Sequence, residues 1–78
     1  MVKICRKYVY LTEDEFDDLL YDYKLAVRVL FLNTKRGTIR GIIVNPYTGA
    51  ELGGFYLNSK GVCIMRKETY FKIVSKTQ

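Results

Sequence analysis

The hydrophobic period of this chain changes to two at Leu25, and that change separates a helical segment from a run of strands. Before it, Phe16, Leu19, Leu20 and Tyr23 follow the three-and-four spacing of a helix buried on one side. After it, apolar residues alternate in short runs broken by turn signals, the pattern of antiparallel strands. A chain with one helical segment and a string of short strands is an α+β domain.

The helix is expected over 13–23. Thr12 is placed to cap its first N–H groups and Glu15 to reach back, a capping box, while Leu11 and Phe16 bracket the cap as a hydrophobic staple. Residues 3–10 read as a first strand, dense in β-formers. Strands follow at 26–32, 38–44, 50–57, 62–66 and 70–75. The turns between them are Asn33 to Gly37, Asn45-Pro46-Tyr47-Thr48-Gly49, Asn58-Ser59-Lys60-Gly61 and Lys67-Glu68-Thr69. Gly53-Gly54 interrupts one strand and predicts a bulge or bend. Residues 76–78 are expected to fray.

The expected architecture is one amphipathic helix packed on a bent antiparallel sheet of five or six strands, in the order β-α-β-β-β-β-β. Short turns make residues 26–75 a meander. An open sheet and a half-barrel both satisfy this pattern. Seventy-eight residues make a single domain, 1–78, with one modest core. Cys5 and Cys63 both fall in apolar strand-like segments, which reads as two small reduced core side chains, with a disulfide as the alternative. The N-terminus lacks the apolar run of a signal peptide, and no stretch approaches the ~20 apolar residues of a membrane span. A cytoplasmic protein is the expectation, with no membrane partner.

Charge is segregated along the chain. Six of its eight acidic residues lie between Glu13 and Asp22, and the rest of the protein is basic, so the net charge is +5. Such a chain presents two surfaces of opposite sign. The acidic one is the exposed helix face: Asp14, Asp17, Asp18 and Asp22 surround Tyr21, whose ring would anchor a protein partner with a basic surface. The other is a basic, tyrosine-rich sheet. Lys35, Arg36 and Arg40 cluster at the first hairpin, Arg66, Lys67, Tyr70 and Lys72 around the last strands, and Lys3, Arg6, Lys7, Tyr8 and Tyr10 on the first. Cations interleaved with rings on a sheet hold single-stranded nucleic acid, with phosphates on Lys and Arg and bases on the rings. A homodimer is a third use of the same segregation, the acidic helix of one copy meeting the basic hairpin of another.

The chain has no histidine and no tryptophan. That excludes Ser-His-Asp and Cys-His nucleophile pairs and, with two cysteines, a conventional four-ligand zinc site within one chain. Asp14, Asp18 and Asp22 form a ridge, but a convex one, whereas a metal needs converging ligands. The stretch Gly49 to Gly54 opens onto no helix, so it is turn and bulge rather than a phosphate loop. The expectation is a non-enzymatic binding module without cofactor. A small polarised chain of this kind has the style of accessory proteins from viruses and mobile elements, many of which act as inhibitors or adaptors. Protein binding through the acidic face leads, and nucleic-acid binding through the basic sheet is the alternative.

Overall fold

A computed structural model describes residues 2–75, so the expected fraying at 76–78 lies outside the described residues. Six strands and two helices follow one another as β1 (Lys3–Cys5), β2 (Tyr8–Thr12), α1 (Glu13–Asp22), β3 (Ala26–Asn33), β4 (Thr38–Val44), β5 (Glu51–Leu57), β6 (Val62–Arg66) and α2 (Lys67–Val74). The strands form one open antiparallel sheet in the order β1-β2-β6-β5-β4-β3. The α+β expectation holds, with residues 26–66 as the meander. Each of its three hairpin turns is headed by an asparagine. The side-chain oxygens of Asn33, Asn45 and Asn58 accept N–H bonds from Arg36, Tyr47 and Lys60, at 3.1, 2.9 and 2.9 Å.

Two segments differ from the sequence expectation. The first strand is a hairpin: Arg6 takes a left-handed φ of 53°, the chain reverses at Arg6-Lys7, and β1 pairs back on β2. The segment expected as a strand over 70–75 belongs to α2. Its side chains are β-formers, but β6 already has β2 on one side and β5 on the other. A chain leaving β6 finds no free edge there and must cross to a face. On that face Thr69 and Ile73 are buried and Tyr70 and Val74 half-buried, a helical stripe.

Helix α1 begins as expected. The Thr12 hydroxyl accepts the Glu15 N–H at 3.1 Å and the Glu15 carboxylate accepts the Thr12 N–H at 2.9 Å. It ends in a Schellman motif, in which Leu25 N–H bonds Leu20 C=O at 2.8 Å and Lys24 occupies the left-handed position at φ 54°.

Both helices lie over β2, β5 and β6 on one side of the sheet. Between helices and sheet sits the core: Val9, Leu11, Phe16, Leu19, Ile43, Leu52, Phe55, Cys63, Met65 and Ile73. Phe16 and Phe55 join the layers, ring centroids 5.0 Å apart. Cys63 is fully buried in this core, whereas Cys5 is exposed on β1, so only one of the two cysteines is a core side chain and both thiols are free. Burial pushes the Cys63 thiol up to about 12.

The Gly53-Gly54 pair has two jobs. The β4–β5 register slips between Ile43 and Val44, opposite Gly53 and Glu51, which is the expected bulge. Gly53 is also the seat of α2. A Cβ there would run into the Thr69 side chain, and the φ of 154° is one that side-chain-bearing residues rarely adopt. Gly54 points the other way, onto the side without helices, where its missing side chain leaves a trough.

Candidate nucleic-acid interface

Cross-strand register lines up one residue from every strand on the side of the sheet that the helices leave open. Lys3 stands opposite Tyr10, Tyr10 opposite Ile64, Ile64 opposite Tyr56, Tyr56 opposite Arg40, and Arg40 opposite Phe31. The row crosses all six strands and alternates cations with rings and one isoleucine. Tyr8 and Arg66, opposed across the β2–β6 ladder, start a second row beside it.

Arg40 and Tyr56 form the row's central ridge. The guanidinium carbon of Arg40 lies 5.8 Å from the Tyr56 ring centroid, within cation–π range. The ridge separates two hollows that share both residues. One, of about 300 Å³, is lined by Phe31, Asn33, Arg36 and Thr38 as well. The other, of about 480 Å³, is the trough over Gly54, bordered by Tyr8, Leu30, Ile42 and Arg66. Each hollow therefore combines flat aromatic walls with an arginine. The nearby carboxylate of Glu51 is engaged by Arg28 at 3.1 Å, an exposed pair that leaves the face positive.

The seven basic-face residues named at the first hairpin and around the last strands do not all meet. Arg40 and Arg66 lie on the open face and Arg36 on its rim, with Lys35 beside it in the β3–β4 turn. Lys67, Tyr70 and Lys72 belong to α2, which packs on the opposite side; Tyr70 is half-buried against the core and borders a hollow with Asp18 and Asp22. The reason is the helical fold of 67–74, which removes these residues from the sheet. Two rings were missed. Tyr56 and Phe31 gain their place only through pairing with Arg40, which no local spacing encodes. Tyr8 and Tyr10 were legible, because alternate residues of a strand share a face.

Asp14, Asp17, Asp18, Tyr21 and Asp22 are all exposed on α1, as the period requires, and Tyr21 is 84% exposed. They lie on the helix side of the molecule, away from the basic row. Among the described residues no three of the Cys, Asp and Glu side chains are grouped so as to hold a metal ion, and no helix is long and apolar enough to cross a membrane. No protein-family model, no curated protein and no solved structure matches this chain.

Proposed function

We propose that this chain binds single-stranded nucleic acid across the open face of its sheet. The observation that carries the reading is the six-strand row from Lys3 to Phe31, left bare by both helices. At ~4.8 Å between strands the row spans roughly 24 Å. Rings at Tyr10, Tyr56 and Phe31 offer stacking surfaces that accept any base, and Tyr8 adds one beside them. Lys3, Arg36, Arg40 and Arg66 flank these rings as phosphate partners. Bases must be unpaired to reach the rings, so a single strand fits and a duplex does not.

Fluorescence anisotropy with labelled single-stranded DNA, single-stranded RNA and duplex DNA over a salt series tests this. Four phosphate contacts predict a log–log salt slope of about −3 for single strands. Tyr56→Ala should weaken binding by about 1–3 kcal/mol while leaving the slope nearly unchanged. Absence of binding at low salt overturns the reading.

A second reading is favoured by one specific feature. Tyr21 stands 84% exposed amid the aspartates of α1. An exposed ring in an acidic surround suits a protein partner with a basic surface. Hollows border this ridge at Tyr21, Asp22 and Asp18, but it offers a partner a single exposed ring where the sheet row offers several, which ranks it second.

A further inference from the structure

We infer that β3 pairs edge to edge with β3 of a second copy of this chain, joining two sheets into one of twice six strands. This goes beyond the nucleic-acid reading and does not depend on it.

The two edges of the sheet are built differently. β1 is three residues long and carries Lys3, the usual protection of an edge against unwanted pairing. β3 is eight residues long and presents an apolar run: Val29 is 51% exposed, Leu30 and Phe31 59%, and Leu32 58%. Among the described residues its outer backbone groups meet no strand. The helices pack mainly over β2, β5 and β6, and residues 27–32 of β3 are exposed on both sides of the sheet. Exposed apolar surface along an unpaired edge marks a site of strand addition.

Charge at the two ends of β3 identifies the occupant. Its start follows on the C-terminal end of α1, where Asp22 and Tyr21 border a hollow with Lys24, Leu25 and Tyr47, and the single cation Lys24 stands against the six carboxylates of Glu13 to Asp22. Its end runs into the turn that carries Lys35 and Arg36. Antiparallel pairing about a two-fold axis lays the start of one β3 beside the end of the other. The acidic, negative-dipole end of each α1 then meets the basic turn of its mate, twice by symmetry. An unrelated strand would have to reproduce both charges in the correct polarity; a second copy does so automatically.

The bulge at Leu30 fits this arrangement. It leaves two regular stretches, Ala26–Val29 and Phe31–Asn33, and a two-fold between Leu30 and Phe31 sets one against the other, with Val29 opposite Leu32 of the second copy on the helix side. Arg28, the one charged residue of β3, then opposes Asn33 of the second copy on the open side, and the two Arg28 side chains stay about 13 Å apart along the ladder. The axis is perpendicular to the sheet, so both open faces look the same way and the two ring-and-cation rows meet at Phe31.

Sedimentation velocity on the nucleic-acid-free protein, from low micromolar to near-millimolar concentration, tests this. Twice the chain mass is expected at the upper end. Val29→Lys with Leu32→Lys changes two residues more than half exposed, both on the helix side of β3, and should leave a folded monomer. Lys35→Glu with Arg36→Glu should weaken dimerisation at least tenfold at low salt, and adding Asp22→Lys should restore part of it. Amide hydrogen exchange of the unaltered chain provides a check that needs no variant: β3 amides should gain protection as concentration rises. A monomer at every concentration, or a dimer that survives the double lysine variant with β3 amides unprotected, overturns the inference. Nucleic-acid affinity of the monomeric variant is read separately, so failure of one proposal is distinguishable from failure of the other.

Discussion

Arg40 and Tyr56 face each other directly across the β4–β5 ladder, and the guanidinium of one lies 5.8 Å from the ring centroid of the other. Their pairing holds a cation and a stacking surface at the centre of the open face, with a hollow on either side. Arg40→Lys keeps the charge and loses the planar stacking group. The expected outcome is an unchanged salt slope with affinity for a single strand reduced about three- to tenfold. Arg40→Ala should lose the affinity and also flatten the slope by about 0.7. Anisotropy titrations at several salt concentrations check both.

The acidic ridge provides a discriminating variant. Asp14→Lys with Asp18→Lys reverses charge on the side of the molecule away from the basic row. Under nucleic-acid binding, affinity rises a few-fold at low salt and the gain disappears near physiological salt, because the Debye length there is only about 8 Å. Under the second reading, the same variant loses its protein partner at all salt concentrations. Titration of the variant beside the unaltered chain separates the two.

Gly53 decides whether α2 can dock. Gly53→Ala places a methyl group against Thr69 and forces a strained φ, so a loss of about 2–4 kcal/mol is expected. Adding Thr69→Ala removes the atoms that are struck and should recover part of that loss. Urea denaturation followed by far-ultraviolet circular dichroism measures both variants.

Lys24 occupies the left-handed position of the α1 Schellman motif at φ 54°, where glycine carries no steric penalty. Lys24→Gly should therefore stabilise the protein by about 1 kcal/mol, with a rise in Tm of roughly 4–8 °C for a domain of this size. Differential scanning calorimetry checks it.

The two thiols should differ sharply in reactivity. Cys5 is exposed, whereas Cys63 is buried and its thiol is pushed up to about 12. An alkylating reagent at mildly alkaline pH should modify one thiol per folded chain and both in denaturant, as counted by mass spectrometry. The sign of the linked stability follows. The unfolded thiol ionises near 9.0 and the folded one only near 12, so this group's contribution is intact below 9.0 and is lost as pH rises through that window. Cys63→Ala should remove that part of the alkaline loss.

Helix α1 was legible down to its hydrogen bonds, because the capping box, the staple and each step of the buried stripe join residues no more than five apart. The three hairpin turns of the meander were legible for the same reason, each carrying an asparagine whose side chain closes it, whereas the Arg6-Lys7 turn carries no such signal. Helix α2 was not, since Tyr70, Phe71, Ile73 and Val74 favour strands by local preference. Occupation of both edges of β6 overrode that preference. Only half of the candidate site could be read: Tyr8 and Tyr10 share a face by simple alternation, while Tyr56 and Phe31 come from strands whose register the chain does not announce.

By itself, then, the sequence determined the elements and their charges: a capped acidic helix, short strands with asparagine turns, and a basic remainder. Those features depend on neighbours three or four residues away, where propensity, capping and periodicity act. The tertiary structure decided which strands lie side by side, which face the helices cover, and which edge stays bare. These depend on contacts between distant residues, chiefly the burial of Val9, Ile43, Cys63, Met65 and Ile73 in one core. Once that core closes, the opposite face of the sheet is left for Arg40, Tyr56 and their neighbours, and β3 is left at the edge.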